Sequence, residues 1–103
     1  MSSQTKMSKN MRDILAMYRA GFPKTKIFQF PEAGVTVAIT PAENDFAYVS
    51  TAFMADDETK FRKNVGEFLA RERYVNNECM LVKLSEHNYE YFAGEIANMA
   101  YLA

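Results

Sequence analysis

Nucleophilic catalysis joins a nucleophile to a base and an orienting group, and the sole cysteine, Cys79, and the sole histidine, His87, are the thiol and imidazole candidates. Cys79 lies in an apolar run, where a free cysteine behaves as a small buried hydrophobe and no adjacent cation holds a thiolate. His87 falls in the first turn of an expected helix, whose dipole disfavours the imidazolium. No catalytic role follows for either residue.

Five carboxylates, Glu43, Asp45, Asp56, Asp57 and Glu58, could hold a hard cation or act as acid and base if they converged. An expected strand over 46–53 lies between the two groups, and its length at about 3.3 Å per residue places them at opposite ends of a sheet. They read instead as a solvated turn and a helix cap. Gly21, Gly34, Gly66 and Gly94 stand isolated, so no phosphate-cradling loop is formed. With one cysteine there is neither an internal disulfide nor a zinc-ligand set. A non-enzymatic chain without cofactor or metal is the expectation.

Such a chain must act through its surfaces, which a single core has to position. A length of 103 residues suits one domain, and 49% apolar with 24% charged residues is the balance of an ordinary globule rather than a disordered chain. No apolar run approaches the roughly 20 residues of a membrane span, and Met1–Lys6 lacks the apolar stretch of a signal peptide. A cytoplasmic location is expected.

Helix 8–20 is predicted from Ser8 as cap, from Met11, Ile14, Leu15 and Tyr18 on one face, and from the stop at Gly21 and Pro23. Strands are predicted at 26–30, 35–40 and 46–53, separated by turn-forming segments at 31–34 and 41–45. In the second strand Val35, Val37 and Ile39 share one face and Thr36, Ala38 and Thr40 the other, a pattern expected of a sheet covered on one side. Asp56-Asp57-Glu58 predicts a helix over 57–73 that buries Phe61, Val65, Phe68 and Leu69 and exposes Lys63/Glu67 and Glu67/Arg71 as i, i+4 pairs. A strand at 79–84 and a helix from Ser85 to about 99–102 complete the chain, the latter with Tyr89, Phe92, Ala93, Ile96 and Ala100 inward. Gly66 and Gly94, inside helices, predict close approaches, which could mark where the two helices meet.

The expected fold is therefore α+β, one domain over 8–103 after a flexible leader at 1–7, in the order α-β-β-β-α-β-α, with a mainly antiparallel sheet packed against helices. Its opening α-β-β-β-α order is similar to that of double-stranded-RNA-binding domains. That family meets phosphates with lysines at the start of its second helix, where this chain has Asp56-Asp57-Glu58, so the likeness is one of element order.

Two surfaces stand out. The first 26 residues carry six basic side chains against one acid, +5, and the rest carries −6. Lys9, Arg12, Arg19, Lys24 and Lys26 form the basic set, and Tyr91, Met99 and Leu102 enlarge the apolar surface of the last helix beyond one inward stripe. Phe28, Phe30, Phe46, Tyr48 and Phe53 could stack bases on an open sheet face, although core packing accounts for them as well. The expected function is a protein-interaction module, a regulator or inhibitor that docks on a larger macromolecular partner, with a protein as the expected partner, or forms a homodimer through its C-terminal helix. Phage and mobile-element products that block host machinery or defence are often of this style. The alternative is a nucleic-acid-binding module using the basic first helix, with weak, salt-sensitive binding at a pI near 5.8.

Overall fold

A computed structural model describes residues 8–54, 60–84 and 89–102. The leader at 1–7, the caps at Asp56–Glu58 and Ser85, and His87 lie outside the described residues, as do the side chains of Ala100 and Leu102. The elements follow the expected order: α1 (Lys9–Gly21), β1 (Lys26–Phe30), β2 (Val35–Pro41), β3 (Phe46–Phe53), α2 (Lys63–Val75), β4 (Met80–Lys83) and α3 (Tyr89–Leu102). The four strands form one sheet in the order β1-β2-β3-β4, every pair antiparallel.

Short-range chemistry shapes the turns. The Ser8 hydroxyl accepts the Met11 N–H at 3.1 Å and caps α1. Between β1 and β2 the chain turns through Pro31–Gly34, and Gly34 takes φ 68° with Met54 Cβ 3.1 Å from where its own Cβ would stand, so glycine is required twice over. Asn44 and Asp45 both adopt left-handed φ in the β2–β3 turn, the conformation Asn and Asp tolerate best among side-chain-bearing residues. After α2 the N–H groups of Asn77 and Glu78 donate to Tyr74 and Arg73 carbonyls, a Schellman cap with Asn77 in the left-handed position. Pro41 ends β2 beyond the last residue paired with β1, where its missing N–H leaves no gap in the ladder.

The sheet is covered on both faces, not one. Val35, Val37 and Ile39 join Ala47, Val49, Ala93 and Ala97 in a core beneath α3, while Ala38, Ala52 and Ala70 form a second core beneath α2. Residues 35–40 of β2 are buried on both sides as a result. Thr36, Ala38 and Thr40 look like the polar half of an alternating strand, yet Thr36 and Ala38 let a helix come close, and the Thr40 hydroxyl shares a buried hydrogen bond of 2.8 Å with that of Thr25.

That helix crosses the strands. Gln29 Nε2 of β1 donates to the Lys63 carbonyl at 2.7 Å, Gly66 sits on Thr36 of β2, and Ser50 Oγ of β3 donates to the Ala70 carbonyl at 2.8 Å. The Arg73 guanidinium then reaches the Thr51 carbonyl at the β4 side. Thus α2 enters over one edge of the sheet and delivers the chain to the other, where β4 can pair with β3. The predicted start at 57 is corrected by this path. Residues 60–62 are not helical, and α2 begins at Lys63 because its first turn must seat on the edge strand β1 after the chain has left β3.

The two helical glycines do not meet. α2 and α3 lie on opposite faces, and a Cβ at Gly94 would find nothing within 4 Å. A Cβ at Gly66 would lie 2.3 Å from Thr36 Oγ1, on a buried, β-branched side chain that cannot swing away. Gly66→Ala is expected to lose about 1–3 kcal/mol despite its better helix propensity. In a Thr36→Ala background the same change should cost less, a coupling that urea denaturation of the double-mutant cycle measures.

Candidate interaction surfaces

Of the five expected basic contacts, Arg19 is already engaged. Its Nε and Nη2 donate to Glu67 Oε2 and Oε1 at 2.9 and 2.7 Å, a bidentate pair that ties α1 to α2. Arg71 Nε donates to the same Oε2 at 2.8 Å. The side chains of Glu67 and Arg71 are only 13% and 9% exposed, which corrects the expectation of a solvated i, i+4 row on α2. Glu67 lies between two guanidinium groups that hold its carboxyl below the ordinary range, chiefly through the Arg19 hydrogen bond and against the opposing effect of burial. The Glu67 carboxylate in turn raises the Arg19 guanidinium.

The remaining cations do not form one patch. Lys9 and Arg12 are exposed near the start of α1, which packs on α2 through buried Leu15 and the stacked rings of Tyr18 and Phe68, 6.0 Å apart. Lys24 is exposed in the turn that follows. Lys26 pairs with Ile39 in β1, and its side chain therefore emerges on the sheet face of α3, opposite α1 and α2.

On α3, Ala93 and Ala97 meet the sheet, with Tyr89, Phe92 and Ile96 packed around them. Tyr91 and Met99, two turns apart, are each 67% exposed. Leu102 lies outside the described side chains.

An aromatic group escaped the sequence reading. Phe22, after α1, meets Tyr74 of α2 edge to face at 5.3 Å, and Tyr74 meets Tyr48 of β3 at 5.9 Å. The rings come from the segment after α1, from α2 and from β3, so no local pattern announces the cluster. Phe28 and Phe30 pack against the α3-side core, while Tyr48 and Phe53 emerge on opposite faces of β3 and cannot form a common stacking platform.

Chemistry is sparse. An open depression of about 420 Å³ lies between Val49–Thr51 of β3 and Asn77–Met80, and burial pushes the Cys79 thiol at its wall upward, away from thiolate. Among the described residues, no three His, Cys, Asp or Glu side chains are grouped to hold a metal ion. No helix there is long and apolar enough to cross a membrane.

Glu67→Gln is expected to destabilise the chain by about 1–3 kcal/mol at neutral pH, because it leaves Arg71 buried without its anion. Since the folded carboxyl titrates below the unfolded one, its contribution is complete above the unfolded value of about 4.3 and disappears as pH falls through the lower folded value. Stability against pH should accordingly fall less steeply in acid for Glu67→Gln than for the wild type, as measured by urea denaturation across the acid range.

No protein-family model matches the chain, and no curated protein or solved structure matches it either. The functional reading therefore rests on these surfaces alone.

Proposed function

We propose that the chain is a non-enzymatic protein-interaction module, a regulator or inhibitor that presents the outer face of α3 to a larger protein. One observation carries this reading. Beyond the inward stripe of Tyr89, Phe92, Ala93, Ile96 and Ala97, the helix carries two more large apolar side chains, Tyr91 and Met99, each 67% exposed. A helix that served only to cover the core would carry polar side chains at those outward positions. Tyrosine and methionine are enriched at the centres of protein interfaces, and methionine adapts its shape to a partner.

The nucleic-acid reading draws its support from Lys9, Arg12, Lys24 and Lys26. Arg19 is tied to Glu67 by a bidentate pair, and Lys26 emerges on a different face from α1. A protein partner fits the surfaces better.

The test compares the wild type with Tyr91→Glu/Met99→Glu, after denaturation confirms equal stability, for affinity to an identified partner. The double substitution should weaken binding by about 2 kcal/mol or more, roughly 30-fold. Equal affinity of the two proteins would remove α3 from the interface. Tight binding of DNA or RNA at physiological salt, lost on Lys9→Glu/Arg12→Glu, would replace this reading with the nucleic-acid one.

A further inference from the structure

The sheet ends at β4 with a backbone edge whose direction is set by its neighbours. The Leu84 N–H donates to the Asp45 carbonyl at 2.7 Å, one pair beyond Phe46↔Lys83, and hydrogen-bonded pairs alternate along an antiparallel ladder. Val82 and Met80 therefore turn their N–H and C=O groups toward β3, and Leu81 and Lys83 turn theirs outward. Two contacts of β3 agree: the Phe46 carbonyl accepts from Ala42 on the β2 side, and the Thr51 carbonyl accepts from Arg73 on the β4 side. Among the described residues, no strand lies beyond β4.

The side chains of this edge are apolar on both faces. Met80 is 59% exposed on the α3 side and Leu81 53% on the α2 side, because α3 lies over β1 and β2 while α2 lies over β1 to β3. Sheet edges are commonly guarded by charge, by proline or by a covering element. Here the charges stand at the ends, exposed Glu78 before the strand and exposed Lys83 at its close. A negative start and a positive finish make the edge complementary to its own antiparallel copy, and repulsive to a parallel one.

We propose that two copies of this chain pair through β4, antiparallel about a twofold axis at Leu81, to make a continuous eight-stranded sheet. With the axis there, Leu81 exchanges both hydrogen bonds with Leu81 of the second copy, and Cys79 faces Lys83. Met80 and Val82 form the close, non-hydrogen-bonded pair on the α3 side. The two Leu81 side chains meet on the α2 side, each beside Tyr48, its cross-strand neighbour in β3. Lys83 of each copy reaches the Glu78 end of the other. So short a strand buries less than the roughly 1,000 Å² of a stable interface, which makes this a weak dimer that fills at high concentration. The surface is separate from the outer face of α3, so either assignment can fail without the other.

Sedimentation velocity of the full chain, from low micromolar to near-millimolar concentration, should show the 11.8 kDa monomer giving way to a dimer. Leu81→Lys, a change at an exposed position, should weaken that dimer at least about tenfold by placing two cations at the axis. Glu78→Lys should weaken it too, and Glu78→Lys/Lys83→Glu should restore it, a rescue that damage to the fold would not produce. A wild type that stays monomeric throughout, or a dimer indifferent to Leu81→Lys, overturns the proposal. A dimer lost in Tyr91→Glu/Met99→Glu and kept in Leu81→Lys would overturn it in favour of α3.

Discussion

The close seat of Gly66 on Thr36 is the contact from which the rest of the architecture follows. A side chain at position 66 would hold α2 away from the sheet, and the small residues beneath it, Thr36, Ala38, Ser50 and Ala52, would then line a gap. With glycine there the helix lies low enough for Gln29 and Ser50 to reach its carbonyls. The buried Ser50 hydroxyl, which would otherwise be costly, becomes a fastening of the layer, and the Gln29 amide adds a second at its edge.

Because α2 crosses the strands rather than running along them, it changes the edge at which the chain arrives. A helix returning along β3 would have delivered a parallel neighbour. The crossing helix instead brings the chain to the open side of β3, and the Asn77 turn sends β4 back antiparallel to it. The same path leaves β4 at the edge of the sheet, with Met80 and Leu81 exposed on opposite faces.

The second layer of consequence is electrostatic. α1 packs on α2, not on a broad face of the sheet, and Arg19 anchors it by sharing Glu67 with Arg71. The nearly buried Glu67 and Arg71 are tolerable together because their hydrogen bond is short and because the half-exposed Arg19 adds a bidentate pair from the solvent side. This arrangement converts a residue expected at a binding surface into a fastening, and it divides the positive charge of the first 26 residues among separate places.

The sequence by itself determined the element order, the turn positions and the inward apolar stripes of α1 and α3, because 3.6-residue and two-residue periodicities, Ser8, the prolines and Gly34 act over a few residues. It also marked the outward Tyr91 and Met99 of α3, which lie on the same helix as the alanines that fix its inward face. It could not tell that Thr36, Ala38 and Thr40 were buried, since a polar or small residue in a strand reads alike under water or under a close helix. Nor could it pair Arg19 with Glu67, gather Phe22, Tyr48 and Tyr74, or start α2 at Lys63 rather than at the acidic cap. Those features depend on groups distant in the chain meeting at one place, and only the packing of α2 across the sheet decides which groups meet.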